Sequence, residues 1–158
     1  MYKTVLLAYD GSLEGVRALR EGALLARRYG AKIVLLSVVP QTGGVRMAEG
    51  VSAGVGAHQH DSYKALLKQA VAWLQQRGFE PVAKLAVGEP APMIGMVAKE
   101  VDADLVVVGH QRRSVLTRWW SGSTNAYLSD NIGCSMLMAS RVMSEEAFDE
   151  ALKKIDAR

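Results

Sequence analysis

Lys3-Thr4-Val5-Leu6-Leu7-Ala8-Tyr9, followed at once by Asp10-Gly11-Ser12, is an unbroken apolar run closed by turn residues. A strand half exposed to water alternates polar with apolar, and this one does not. It reads as a strand buried on both faces of a parallel sheet. The same pattern returns in Lys32 to Val39 (KIVLLSVV), stopped by Pro40, and in Asp104 to Val108 (DLVVV), ending at Gly109. Glu80 to Val87 and Cys134 to Ala139 (CSMLMA) complete five strand segments.

Between them the period lengthens. Val16, Leu19, Ala23, Leu24 and Ala26 recur at helical spacing, with Ser12 as N-cap and Gly30 as helix end. Further helices are expected over His60 to Arg77, Pro92 to Glu100 and Ser123 to Asn131, and a charged one over Ser144 to Ile155. Residues 41–57 hold five glycines and little periodicity, which predicts a loop. Alternating strands and helices imply right-handed crossovers and an α/β fold: a doubly wound, five-stranded parallel sheet in the order 3-2-1-4-5, Rossmann-like. Ligands of such sheets sit beyond the strand carboxyl ends where the order reverses, here between the first and fourth strands. Asp10-Gly11-Ser12 and Gly109-His110-Gln111 are the residues to search.

Composition bounds the rest. The 158 residues fit one domain, with a core over 1–141 and a helical extension over 142–158. Apolar residues make up 49% and charged residues 22%, which excludes a disordered chain. No apolar run approaches the roughly 18 residues of a membrane span, and no secretory signal is visible. The single cysteine, Cys134, cannot form an internal disulfide, so a reducing, cytoplasmic setting is expected.

After the fourth strand comes GHQRRSVLTRWWSGSTNAY, from Gly109 to Tyr127. Gly109 permits a tight turn off the strand. Gly122-Ser123-Thr124 opens the next helix, where free N–H groups and the helix dipole favour an anion. Arg112, Arg113 and Arg118 lie between, with no acid nearby. Two readings fit: a phosphate cradle, or a solvated basic loop ending in an ordinary helix cap.

LLAYDGS at the start, VGEP over Val87 to Pro90, the DLVVVG strand and the Gly122-Ser123 helix start together resemble the universal stress protein family, over about residues 2–140. The resemblance implies an adenine nucleotide alpha hydrolase-like fold. Nucleotide-binding members carry glycine, two residues, glycine, nine residues, then glycine with serine or threonine. Gly109 and Gly122-Ser123 match at that spacing, whereas Arg112 and Ser114 stand where such members have glycines. An arginine there either fills the space that backbone amides use to approach phosphates, or swings out to pair with them.

Carried over, the resemblance implies ATP or another adenine nucleotide, with or without Mg²⁺. Asp10 would meet ribose, with Ala8 and Tyr9 close by, and Val38 would offer backbone groups to adenine. Gly109, Gln111, Arg112, Gly122, Ser123 and Thr124 would surround the phosphates. An Asx turn or helix cap is an equally natural role for Asp10. The resemblance also implies a homodimer, formed by antiparallel pairing of Cys134 to Ala139 across a two-fold axis. An exposed apolar edge strand has that tendency on its own.

Other candidates carry less. His58-Gln59-His60-Asp61 lacks the ligands to complete a metal set and reads as a solvated helix start. Gly88-Glu89-Pro90 reads as strand turn and helix start, Cys134 as a small buried hydrophobe, and Trp119-Trp120 as packing under the loop or in a subunit contact. His110 lacks a nucleophile to activate, and neither a Walker motif nor GxGxxG after the first strand is present. A receiver domain needs paired acids after its first strand, and a pyrophosphatase needs a longer phosphate loop there, so an enzyme is not expected. The resemblance implies a cytoplasmic, homodimeric stress-response protein with an adenine nucleotide as regulatory ligand, or a non-binding relative acting through protein contacts. Neither nucleic acid nor membrane is an expected partner. The net charge of +3 equals the charge of Arg112, Arg113 and Arg118, because the remaining sixteen basic and sixteen acidic residues balance.

Overall fold

Thr4–Ala8 forms β1, Leu13–Tyr29 α1, Lys32–Pro40 β2, Ser52–Gln75 α2, Val82–Gly88 β3, Pro90–Glu100 α3, Leu105–Gly109 β4, Ser135–Ala139 β5 and Glu145–Asp156 α4. These are the elements of a computed structural model that describes residues 1–41, 52–109, 127, 128 and 130–158, with backbone only over 52–56. The strands pair in parallel in the order β3-β2-β1-β4-β5, as the sequence predicts. The reversal falls between β1 and β4, whose register sets Leu7 opposite Val107.

Alternation along β1 divides the core. Val5 and Leu7 join α1, α2 and α4 on one face. Leu6 and Ala8 join α3 and Leu128 on the other. Leu128 belongs to the expected 123–131 helix, of which residues 123–126 and 129 lie outside the described set.

Helix α1 follows its capping chemistry. Ser12 Oγ accepts the Gly15 N–H at 3.0 Å, Glu14 sits in the first turn, and Arg27 and Arg28 lie in the last. Gly30 ends the helix at φ 63°, the left-handed conformation that glycine adopts without steric cost. Gly15 and Gly22 let the helix lie against the sheet. A Cβ on Gly22 would stand 2.2 Å from Leu7 Cδ2, and one on Gly15 2.6 Å from Asp10 Oδ1.

Two helix starts differ from the sequence reading. Helix α2 starts at Ser52, not near His60, so residues 52–57 of the expected loop are helical. His58, His60 and Asp61 therefore lie inside a helix on its solvated side rather than at its start, and His60 Nδ1 stands 3.9 Å from Asp61 Oδ1. Helix α3 begins at Pro90 instead of Pro92, because proline at the first position gives up only an N–H that would be unbonded anyway.

Helix α4 is anchored to the domain itself. Phe148 and Leu152 are buried in the core cluster shared with α1 and α2. The Phe148 and Trp73 rings meet at 4.9 Å, and the Arg77 guanidinium lies 4.0 Å over the Trp73 ring. Arg77 Nε donates to Asp149 Oδ1 at 2.7 Å and Nη2 to Glu145, while Trp73 Nε1 donates to Glu145 Oε1 at 3.1 Å. These bonds raise the Arg77 pKa further above its ordinary value, with the hydrogen bond to Asp149 as the main cause. Arg20 Nη1 donates to the Met143 carbonyl at 2.6 Å, and Arg27 Nε to Asp156 Oδ1 at 2.7 Å. Helix α1 is thus tied through Arg20 to the residue just before the α4 cap and through Arg27 to the end of α4.

Candidate functional site

The carboxyl ends of β1 and β4 converge on the first turn of α1. After Ala8 the chain leaves the sheet, and Tyr9 N–H makes a last bond to the Leu36 carbonyl at 2.9 Å. The Tyr9 carbonyl accepts the hydroxyl of Ser37 at 2.7 Å. Ser37 is fully buried, and this bond satisfies its hydroxyl within an otherwise apolar strand. The Tyr9 ring turns to the α1–α2 face, into a small groove with Arg20, Gln69 and Trp73. Its pKa is raised, first by burial and then by the charge of Asp10.

Asp10 is 4% exposed. Its Oδ1 accepts Ser12 N–H at 2.9 Å and Ser12 Oγ at 2.5 Å, so Asp10 and Ser12 form a relay: the aspartate closes an Asx turn, and the serine caps α1. The Asx-turn role weighed in the sequence is thus present. A carboxylate held this way stands at the switch point with its position fixed by the turn it closes.

Val38 is buried as a side chain, but its backbone has a different neighbour. In a parallel ladder, successive residues turn their N–H and C=O to alternate edges. Leu36 faces β1, since its carbonyl accepts from Tyr9. Val38, two residues on, faces the same edge beyond the last paired residue of β1, Ala8. The end of β2 therefore presents main-chain groups toward the crevice that Asp10 borders. Ala8 itself is a buried core residue.

Gly109 ends β4, paired with Ala139. A Cβ there would lie 2.4 Å from the Glu14 carbonyl oxygen, so the close approach of α1 demands glycine at this position. Ala8, Tyr9, Asp10, Val38 and Gly109 are thus brought to one end of the sheet. Gln111, Arg112, Gly122, Ser123 and Thr124 lie outside the described residues, as do His110, Arg113, Arg118, Trp119 and Trp120. No group of three metal-ligating side chains occurs among the described residues. Cys134 is half-buried instead of fully enclosed, and burial raises its thiol pKa.

Sequence reasoning missed Ser37, Gly15 and Gly22. Ser37 leaves a mark only as one hydroxyl in an apolar run. The two glycines stand seven apart, hence on one helix face with Ala18 and Ala26, a spacing that could have flagged a close helix–sheet contact.

A doubly wound α/β protein with its crevice at the β1/β4 switch point is the class these features define. Within it, the sequence profile of the universal stress protein family matches residues 1–140, and the chain belongs to that family. It is 27% identical over 150 residues to universal stress protein Sll1388 of Synechocystis, covering 87% of this chain and 97% of that one. A structure from the family from Burkholderia pseudomallei superposes with a TM-score of 0.71 at 24% identity, covering 87% of this chain and 95% of the other. The universal stress protein of Archaeoglobus fulgidus, solved in complex with dAMP, has a TM-score of 0.60 at 25% identity, covering 89% of this chain and 98% of that one. Among the described residues, no helix is long and apolar enough to cross a membrane.

Proposed function

We propose that this protein binds an adenine nucleotide as a regulatory ligand in the crevice between β1 and β4, without turning it over. The observation that carries the reading is the buried Asp10 carboxylate, fixed by Ser12 at the point where the strand order reverses. Asp10 accepts the ribose hydroxyls, and the outward backbone of Val38 meets the adenine edge. Gly109, Gln111, Arg112, Gly122, Ser123 and Thr124 line the phosphate side. The dAMP complex of the related Archaeoglobus protein supports the ligand class. The protein acts in the cytoplasm in a stress response, as a homodimer paired through the free edge of β5, which the sheet order leaves open.

A thermal-melt titration with ATP, ADP and AMP, with and without Mg²⁺, tests this. A ligand at 100 times its dissociation constant stabilises by about 2.7 kcal/mol. No shift at millimolar nucleotide overturns the reading. Light scattering should give a particle of twice 17.1 kDa.

One sequence feature favours a second reading, in which the dimer acts through protein contacts alone. Arg112 occupies the position where binding members of the family carry glycine. If nucleotide fails to bind and Arg112→Gly restores binding, the side chain is the block, and the second reading replaces the first.

A further inference from the structure

We propose that the groove between α1 and α4 is a docking surface for an acidic, apolar-studded segment of a partner protein. The groove opens to about 680 Å³, within the ~300–1,000 Å³ of ordinary ligand pockets. Half-buried Leu25, Met143 and Ile155 form its floor. Around them stand Arg28, Arg141, Lys154 and Arg158, all exposed and none in an ion pair among the described residues.

The contrast along one helix seam gives this meaning. Where α1 and α2 meet the start of α4, the arginines are neutralised: Arg77 by Asp149 and Glu145, with Arg20 3.9 Å from Glu145. Near the end of α4, among the described residues, only Arg27 is paired, with Asp156. Among the described residues lining the groove, the remaining four cations face one unpaired carboxylate side chain, that of Glu21. An apolar floor inside a positive rim matches an anionic partner that also carries apolar side chains.

Glu21 lines the groove as well, and among the described residues its enclosed Oε2 has no hydrogen-bond partner. A carboxylate beside the floor repels a fatty acid headgroup or a DNA phosphate seated against it, whereas a peptide sets its acidic side chains on the outer arginines and its apolar side chains over the floor. The family match ends at residue 140, so the wall supplied by Arg141, Met143 and α4 lies outside the shared domain. Binding at this groove is independent of the nucleotide reading.

Fluorescence anisotropy of a labelled amphipathic peptide of glutamate and leucine tests the proposal on the full chain. The comparison probes are the same peptide with lysine for glutamate, a glutamate–serine peptide, and a short DNA duplex. The glutamate–leucine peptide should bind best, more weakly as salt is raised, and unchanged in Asp10→Ala. The double variant Arg28→Glu/Arg141→Glu should lose about tenfold in affinity, and Arg28→Gln/Arg141→Gln less. Both arginines are exposed, so a melting curve that matches the parent separates lost docking from lost fold. Equal binding of the lysine peptide, the serine peptide or the duplex would overturn the proposal, as would unaltered affinity in both double variants.

Discussion

The Glu14 carbonyl lies so close to the end of β4 that a Cβ on Gly109 would come within 2.4 Å of its oxygen. The opposing atoms are backbone, which a rotamer change cannot move aside. Gly109→Ala must therefore lift the first turn of α1 or bend β4. Overpacking of this kind costs about 1–3 kcal/mol. The expected outcome is a lower urea midpoint at unchanged slope. Gly133→Ala is the control, because among the described residues nothing lies within 4 Å of a Cβ there, and its change should stay within about 0.5 kcal/mol.

The Asp10–Ser12 relay predicts two separable effects. Ser12→Ala removes the N-cap bond to Gly15 and should cost about 1 kcal/mol. Asp10→Ala strands the Ser12 N–H and hydroxyl in a half-buried turn and should cost about 1–3 kcal/mol. Because the residues share a bond, the double variant should cost less than the two single changes together. If Asp10 also meets ribose, the nucleotide-induced melting shift vanishes in Asp10→Ala and persists in Ser12→Ala.

How far these features were legible varies with the range of the forces behind them. The unbroken apolar runs of β1, β2 and β4, with turn residues after each, specified a parallel sheet and its switch point, because burial on both faces leaves a local mark. Asp10 was visible as a candidate, but sequence could not distinguish ribose acceptor from Asx turn, since the turn depends only on where Ser12 folds back. The start of α2 was hidden by glycines at 54 and 56, each costing a helix roughly 1 kcal/mol. Packing of Tyr63, Leu67, Ala70 and Leu74 further along the same helix outweighs that cost. The charged helix of α4 was also plain, whereas the surface it covers is a long-range contact that no local pattern encodes.

Asp104 supplies a pH-dependent clamp on the amino end of the sheet. Its Oδ2 accepts the N–H of Lys3 at 2.6 Å and of Thr4 at 2.8 Å, and these bonds hold its pKa below the usual carboxylate value. Asp156 is lowered in the same direction by its bond to Arg27. A carboxyl whose folded pKa is depressed contributes stability above its unfolded pKa and loses it as pH falls through the folded value. Stability should therefore decline as pH drops below about 3.9, the ordinary aspartate value. Chemical denaturation of Asp104→Asn across that range should show a smaller decline than the parent.

Phe148 tests whether the tail is an appendage or part of the fold. Its side chain is fully buried, against Trp73 and beneath the Arg77 guanidinium. Phe148→Ala removes the largest apolar contact between α4 and the α1–α2 face and leaves a cavity, at a cost of about 3–5 kcal/mol. Arg77→Lys keeps the charge but loses the planar fork that reaches Asp149 and the stacking on Trp73. Asp149 and Glu145 are partly exposed, so solvent screening limits that loss to about 1 kcal/mol. If α4 is integral, guanidinium unfolding of Phe148→Ala remains a single transition displaced to lower denaturant. A two-step curve with the main midpoint unchanged would show instead that α4 detaches by itself, and that the groove beside it opens and closes with the tail.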